Sequence, residues 1–191
     1  MCQTVPKRKI GVAAPEYMYD RLIADEGRTV FSYPSSGWGE HSIDAIASMM
    51  MHPYAVHGLG DGGAHCGQIC DASQQTYMLT RWVKGRHGRA LPLEKVVRMI
   101  TSETATAVGL KDRGLLRAGF KGDVNVIDFD RLTLHRPEMI YDLPSGGGRL
   151  FQKADGYRAT VVSGMVTQIN GEATGELPGR LVRGQQPAPA I

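Results

Sequence analysis

The chain has 191 residues, of which 42% are apolar and 21% charged, and its formal net charge is +3. This composition is that of an ordinary globular protein, and it excludes a chain disordered throughout, a collagen-like repeat and a disulfide-rich scaffold. The basic excess is small and scattered, and no apolar stretch approaches the roughly 20 residues of a membrane helix, so neither nucleic acid nor a membrane is expected as a partner.

Helical periodicity dominates the chain up to about residue 110. Residues 15–27 open with a proline in the first turn and close at a glycine, and residues 42–51 open with Ser42 as a predicted N-cap. The apolar residues of the second helix share one face: Ile43, Ile46, Ala47 and Met50. Two longer helical stretches are predicted around 73–84 and 93–109.

Two short β-rich segments follow the first two helices, at residues 28–34 and 54–59. The second segment runs directly into a glycine-rich loop that begins at Gly60. The order helix, strand, helix, strand is that of a parallel α/β architecture. A parallel sheet is therefore predicted for this part of the chain.

The apolar period changes from about 3.6 to about 2 after Gly109. Residues 123–128 alternate as a strand, and residues 157–169 indicate two strands that turn at Ser163-Gly164, with a further turn at Asn170-Gly171. We therefore predict two structural units and a tail. They are residues 1–110, residues 111–184 and a disordered, Pro-rich tail at 185–191.

The clearest chemical pattern is Gly58-Leu59-Gly60-Asp61-Gly62-Gly63-Ala64-His65-Cys66-Gly67. Asp61 comes after a predicted strand, where parallel α/β proteins collect catalytic groups because the strand aims the first loop residue into the site. The glycines around it let the backbone approach a substrate or a metal. The alternative is an Asp-Gly turn in which the carboxylate bonds its own backbone. The pattern leaves both interpretations of Asp61 open.

Two further motifs overlap this loop. The glycines at 58, 60 and 63 match a dinucleotide fingerprint, but an acidic residue inside the loop opposes a pyrophosphate and the acidic partner after a second strand is missing. A zinc knot could be drawn from four nearby side chains: His65, Cys66, Cys70 and Asp71. A structural zinc site needs four closed ligands and no second pair follows, so buried thiols are favoured. The cysteines, Cys2 included, lack framework spacing, which favours a reducing, cytoplasmic compartment.

Three stretches in this order resemble the C-terminal part of the amidohydrolase superfamily, and most closely its D-aminoacylase (N-acyl-D-amino-acid deacylase) branch. They are GLGDGGAHCG, the helix LPLEKVVRMITSETATAVGL and KDRGLLRAGFKGDVNVID. The phrases YDLPSGGGRLFQKADGYRATVVSG and NGEATGELPGRLVRG are similar to the closing segment of that branch. The resemblance runs from about Pro15 to Gly184, and the order of the motifs makes it more specific than any one of them.

The resemblance implies a metal-dependent hydrolase on a distorted (β/α)8 TIM-like barrel with a small flanking β-sandwich domain. In such enzymes one or two divalent ions, usually zinc, activate a water that attacks an amide carbonyl, here that of an N-acyl-D-amino acid. Asp61 matches the aspartate that lies beside the metal, takes the proton from that water and passes it to the leaving amine. His65 matches a histidine that binds substrate or supports the aspartate, and Gly62 and Gly63 leave room for the acyl substrate.

The chain also departs from the family's pattern. It contains no His-x-His, and about two predicted strands precede Asp61 where such a barrel needs eight. A catalytic zinc usually has three protein ligands, so Asp61 alone cannot hold one. Residues 1–110 are therefore predicted to be the last strand–helix units of a barrel and residues 111–184 part of the β-domain. The expected partner is the missing N-terminal barrel portion, and the isolated chain is expected to be inactive.

Two alternatives to this function stay open. A cyclic-amide hydrolase related to dihydroorotases or hydantoinases would use the same chemistry, because a fold does not fix its substrate. A non-catalytic module that folds alone, or that pairs with a separate chain supplying the missing strands, is the alternative outside catalysis.

Overall fold

The computed structural model describes residues 12–24, 26–29, 31, 42–58, 60, 62–63, 65–85 and 90–190. Helices occupy the first part of these ranges and antiparallel strands occupy the second, so the chain mixes α and β structure. Within the described residues, no helix combines the length and the apolar character needed to cross a membrane.

The helices follow the predicted periodicity. α1 spans Ala14–Ala24 and α2 spans Asp44–Met50. The first helical run consists of a 3-10 turn (Asp71–Ser73), α3 (Gln74–Tyr77) and a π-helical segment (Met78–Lys84). The second helical run consists of α4 (Leu93–Arg98), a π-helical segment (Met99–Glu103) and α5 (Thr104–Ala107). The second run ends just before Gly109, whose φ of +79° is the left-handed conformation common at helix ends.

The start of α2 differs slightly from the prediction. The helix begins at Asp44 rather than at residue 42, and Ile43 takes the N-cap position. The Asp44 N–H still donates to Ser42 Oγ, at 3.1 Å. The serine therefore satisfies one of the free N–H groups of the first turn from one position further out.

The hydrophobic core joins the two helical runs to the β-rich part. Its buried side chains are Met78, Leu79, Trp82, Leu91, Val96, Met99 and Leu132. The predicted apolar face of α2 packs against this cluster through Ile43, Ile46, Ala47 and Met50, which confirms that prediction. Leu132 is only 2% exposed although it lies beyond residue 110. The core therefore crosses the boundary between the two predicted units, and their division into domains stays a prediction.

Within the described residues, eight strands lie after residue 120 and their pairs are antiparallel. Their bounds are β1 Val124–Ile127, β2 Thr133–Leu134, β3 Glu138–Leu143, β4 Gly147–Phe151, β5 Ala154–Asp155, β6 Tyr157–Val162, β7 Met165–Ile169 and β8 Glu172–Ala173. Four strands form one sheet in the order β1-β6-β7-β8, and β2–β5 and β3–β4 form two-stranded pairs.

The two predicted hairpin turns are confirmed. β6 and β7 are joined at Ser163-Gly164, and β7 and β8 are joined at Asn170-Gly171. All four turn residues have φ between +50° and +85°. Positive φ at both central positions is what a two-residue type I′ turn requires, since its twist matches that of the flanking strands.

The two strands predicted in the first half of the chain are not found in the described residues. Arg28, Thr29 and Phe31 are irregular, and residues 54–58 form the end of a turn and an irregular segment. The other residues of these two predicted strands lie outside the described ranges. A parallel strand needs a neighbouring strand to take its hydrogen bonds, and the described part of the chain places none beside these segments. The parallel sheet is therefore wrong for these residues, and the barrel fragment stays a prediction.

The C-terminal tail differs from the predicted disorder at its first residues. The Gln186 N–H donates to the Gly109 carbonyl and the Lys111 N–H donates to the Gln186 carbonyl, both at 2.9 Å. Gln186 thereby forms a parallel bridge with Leu110. A Cβ on Gly109 would lie 2.6 Å from Cγ of Gln185, which is too close for two carbon atoms that are not bonded. Because Gly109 has no side chain, the Gln185 side chain can pack directly against its backbone.

Candidate active site

The candidate residues lie between α2 and the first helical run, in a segment at residues 60–70 that we call the candidate loop. Asp61, the predicted catalytic carboxylate, lies outside the described residues. Gly62, Gly63 and His65 lie in turns and are exposed. The roles predicted for Asp61, Gly62, Gly63 and His65 stay predictions, whereas the packing around the loop is defined by the described residues on its two sides.

One side of the candidate loop packs against the start of the first helical run. A Cβ on Gly60 would lie 3.4 Å from the Asp71 carbonyl oxygen, and a Cβ on Gly62 would lie 3.5 Å from Ala72 Cβ. The loop therefore lies in ordinary van der Waals contact with the helix start. Gly63 has a φ of +103°, and no described atom outside its chain neighbours lies within 4 Å of the position that a Cβ would take.

The other side of the candidate loop is bound to the β3–β4 hairpin. The Leu150 N–H donates to the Cys66 carbonyl at 2.7 Å, and a Cβ on Gly67 would lie 3.9 Å from the Gly148 carbonyl oxygen. β3 occupies one edge of β4. The loop therefore approaches β4 from its other edge over a short stretch.

His65 begins a tight turn inside the candidate loop. Its carbonyl accepts the Gln68 N–H at 2.7 Å and the Ile69 N–H at 2.9 Å. Its φ of +43° is uncommon for a residue with a side chain, and such a conformation persists where the surrounding contacts hold it. The side chain is exposed, so the imidazole is accessible to a ligand.

A chain of side-chain hydrogen bonds links the end of the candidate loop to the β-rich part. Ser73 Oγ lies 2.5 Å from Gln152 Oε1 and 3.2 Å from the Cys70 carbonyl oxygen. Gln152 Nε2 donates to the His135 carbonyl at 2.6 Å. No motif or periodicity points to Ser73 or Gln152. The one available signal is that Gln152 lies inside the closing phrase that resembles the D-aminoacylase branch.

In the β3–β4 hairpin, the positive charge of Arg149 is paired with the carboxylate of Asp142. Arg149 donates to both carboxylate oxygens of Asp142, each at 2.7 Å, and its guanidinium lies 4.9 Å from the centre of the Phe151 ring. These hydrogen bonds hold the pKa of Asp142 below its usual range and raise the pKa of Arg149. Arg149 is therefore engaged within the hairpin.

His57 lies partly inside the protein. The residue is half-buried, and its Nε2 atom is shielded from solvent and has no hydrogen-bond partner in the described part of the chain. Burial lowers the pKa of the imidazole, so the neutral ring is favoured. His52 and His135 are exposed, whereas His41 and His87 lie outside the described residues.

The thiols and carboxylates near the loop do not form a metal site by themselves. Cys66 and Cys70 are free and half-buried. Burial raises the pKa of the Cys70 thiol and the charge of Asp71 raises it further, which disfavours the thiolate that a metal would need. Among the described residues, no group of three His, Cys, Asp or Glu side chains could hold a metal ion. These residues therefore do not fit the zinc that the resemblance implies.

A groove of about 430 Å³ lies elsewhere, beside α4. Leu93, Val97, Leu115 and Leu116 contribute to its lining, and no residue of the candidate loop does. It is therefore separate from the candidate active site.

Comparisons with known proteins place these observations in a family. Residues 8–168 match the amidohydrolase family. A 5-methylthioadenosine/S-adenosylhomocysteine deaminase of Pelotomaculum thermopropionicum is 38% identical over 100 residues, which cover 51% of this chain and 23% of that protein. The aligned segment is thus less than a quarter of the relative's length. No solved structure matches the chain. The family match includes the candidate loop, both helical runs and most of the strands, so the chain belongs to the amidohydrolase family.

Proposed function

We propose that the chain is the C-terminal part of a metal-dependent amidohydrolase that hydrolyses the amide bond of N-acyl-D-amino acids. The family match over residues 8–168 carries this proposal. The amidohydrolase family and the deaminase relative both support hydrolysis of a carbon–nitrogen bond. The order of the candidate loop, the helix after it and the closing phrases supports the D-aminoacylase branch.

Asp61 is proposed to shuttle the proton of the reaction. A carboxylate beside the attacking water accepts its proton and then delivers it to the leaving amine, which would otherwise depart as a poor leaving group. The open space beside Gly63 and the exposed imidazole of His65 support a substrate-binding role for this part of the loop. Gly62 and Gly63 are proposed to leave room for the acyl substrate.

Zinc is proposed as the cofactor of the complete enzyme. A bound zinc ion would lower the pKa of its water to about 7, which is the chemistry it would supply. Because the described residues do not form a ligand set, the ligands are proposed to lie in the missing N-terminal barrel portion.

The surface that this barrel portion covers is proposed to include α1 and the segment after α2. No residue of α1 is buried, although Met18, Leu22 and Ile23 are apolar. Val56 is 54% exposed in a segment whose sequence predicts a barrel strand. Exposed apolar residues on both elements support a surface that another part of the protein covers.

Replacement of Asp61 tests the catalytic proposal in an enzyme that contains this chain together with the barrel portion. Asp61→Asn is expected to lower kcat on an N-acyl-D-amino acid by roughly 10²–10⁴-fold, the usual contribution of a general acid–base group, while zinc content stays nearly unchanged. Asp71→Asn is the matched control, because Asp71 is an exposed carboxylate in the helical turn directly after the loop. Near-normal turnover of the Asp61→Asn enzyme would remove Asp61 from the mechanism.

The isolated chain tests the fragment proposal. Supplied with zinc, it is expected not to hydrolyse N-acyl-D-amino acids, and robust turnover would refute the fragment interpretation. Sedimentation analysis separates the remaining possibilities. A stable monomer would count against an incomplete barrel and favour a non-catalytic module.

A second candidate function is hydrolytic deamination, favoured by the relative that is named a deaminase. Deamination and amide hydrolysis both add water to a carbon that then loses a nitrogen leaving group, so the same carboxylate could serve either reaction. An assay of the complete enzyme on an N-acyl-D-amino acid, a hydantoin and 5-methylthioadenosine would separate the deacylase, cyclic-amide hydrolase and deaminase alternatives.

A further inference from the structure

The candidate loop and the residues after it are attached twice to one short stretch of the β-rich part. The first attachment is the backbone hydrogen bond from Leu150 to the Cys66 carbonyl, at 2.7 Å. The second is the contact of 2.5 Å between Ser73 Oγ and Gln152 Oε1. In the β-rich part the two attachment points are Leu150, in β4, and Gln152, directly after it. They are two residues apart in one extended segment, so they move together.

The orientation of the Gln152 carboxamide is fixed by its two partners. The His135 carbonyl oxygen can only accept a hydrogen bond, so the nitrogen of Gln152 must face it, at 2.6 Å. The oxygen of Gln152 then faces Ser73, whose single hydroxyl proton can satisfy one acceptor. Gln152 Oε1 is the nearer acceptor at 2.5 Å, and the Cys70 carbonyl is further away at 3.2 Å.

His65 lies directly before the first attachment and has the strained φ of +43°. Backbone conformations of this kind cost free energy and persist where neighbouring contacts hold them. The two attachments bracket the stretch from Cys66 to Ser73, which includes Gln68 and Ile69, the residues whose N–H groups donate to the His65 carbonyl. The contacts of Gln152 therefore bear on the backbone that presents the imidazole.

We propose that Gln152 is a positioning residue, whose carboxamide binds Ser73 and thereby fixes the backbone that carries His65. This inference rests on the proposed function, in which His65 faces the substrate. It makes the β-rich part an element of the active site, although none of its side chains needs to touch the substrate.

The test is hydrogen exchange and NMR on this chain, so its result does not depend on turnover. Gln152→Leu removes the hydrogen bonds to both Ser73 and His135, and the Ser73 bond is the one that bears on the loop. The amides of Gln68 and Ile69 are therefore expected to exchange roughly three- to tenfold faster, as loss of that one ordinary hydrogen bond predicts, and the His65 ring resonances are expected to shift. Gln168→Leu is the matched control, because Gln168 is an exposed glutamine on β7 outside this network.

Two further variants separate positioning from general destabilisation. Gln152→Glu keeps an acceptor for Ser73 but loses the donor to His135, so it is expected to rescue part of the protection. Ser73→Ala removes only the hydroxyl, and combined with Gln152→Leu it is expected to add little, since both changes break the same contact.

Equal exchange in Gln152→Leu and Gln168→Leu would overturn the inference, as would full additivity of Ser73→Ala with Gln152→Leu. If Gln152→Leu unfolds the chain, Ser73→Ala alone decides: unchanged exchange at Gln68 and Ile69 refutes the proposal and local acceleration supports it. In the complete enzyme, kcat/KM of Gln152→Leu is expected to fall for whichever substrate is turned over. Absence of hydrolysis of every substrate would refute the proposed function and leave the exchange result standing.

Discussion

α1 and the first helical run are both rich in apolar side chains, but only the run buries them. In α1 no residue is buried, and Tyr19 is 63% exposed. In the first helical run Met78 and Trp82 are 2% and 4% exposed. The run faces the second helical run and Leu132, whereas α1 is not among the elements that pack on the core. The apolar face of a helix thus shows that it needs a partner, and the rest of the chain decides whether that partner is present.

The strands show the same contrast. After residue 120, three antiparallel pairs (β3–β4, β6–β7 and β7–β8) join strands that are neighbours in sequence, so a short turn brings each partner into place, and β1 and β2 pair with the later strands β6 and β5. The parallel strands predicted at 28–34 and 54–59 need partners that come through long crossover connections. A segment can therefore have a strand-like sequence and stay irregular where no neighbour lies beside it.

The largest expected effect tests the difference in burial between the core and α1. Leu132→Ala is expected to lower the free energy of unfolding by about 2–5 kcal/mol, because it leaves a cavity where the helices meet the strands. Leu22→Ala in α1 removes the same atoms from an exposed site and is expected to cost less than about 0.5 kcal/mol. Urea unfolding of both variants measures the difference. Equal losses would show that α1 is packed and would remove the contrast.

Two glycines give a second, smaller test. Gly156 has a φ of +103°, and a Cβ there would lie 2.7 Å from Leu132 Cα, so Gly156→Ala is expected to cost about 2–4 kcal/mol. Gly27, after α1, has a φ of +78° with open space around it. Gly27→Ala therefore carries only the conformational cost, about 1–2 kcal/mol. Thermal unfolding of the two variants compares them, and a larger loss for Gly27→Ala would contradict the packing described at Gly156.

The smallest expected effect concerns pH. Arg158 Nη2 lies 2.6 Å from Asp128 Oδ2, and this hydrogen bond holds the pKa of Asp128 below its usual range. A carboxyl with a lowered folded pKa contributes stability that is fully present above its unfolded pKa of about 3.9 and is lost as the pH falls through the folded value. Asp128→Asn is therefore expected to be slightly less stable than the parent near pH 7 and equal to it at low pH.

Urea titrations between neutral and acid pH measure that difference. Asp130→Asn serves as the control, since the Asp130 side chain makes no ion pair among the described residues. A stability gap for Asp128→Asn that stays constant down to low pH would show that its carboxylate charge is not the cause.

Much of the local structure could be predicted from the sequence, because the signals are local. The apolar face of α2, the helix end at Gly109 and the turns at Ser163-Gly164 and Asn170-Gly171 each depend on residues close together in the chain. The two strands predicted in the first half are not found in the described residues, because a parallel strand depends on distant partners. Leu132 in the core could not be predicted either, since its burial comes from helices that precede it by tens of residues.

The candidate site divides in the same way. The superfamily could be predicted from the order of the motifs, and the family match confirms it. The role of Gln152 could not be predicted, because its partners Ser73 and His135 are brought to it only by folding. Glutamine in a strand-rich segment carries no pattern that distinguishes a buried hydrogen-bonding role from an exposed one.

The bridge between Gln186 and Leu110 has a practical consequence for handling the protein. A purification tag or fusion partner attached to the C-terminal tail would disturb the residues after α5 rather than the sheet. Gln186 is hydrogen-bonded to Gly109 and Lys111, so movement of the tail acts on those two residues. Trimming by carboxypeptidases through Gln185 would likewise uncover Gly109, which is otherwise buried. Affinity handles are therefore better separated from this end by a long, flexible spacer.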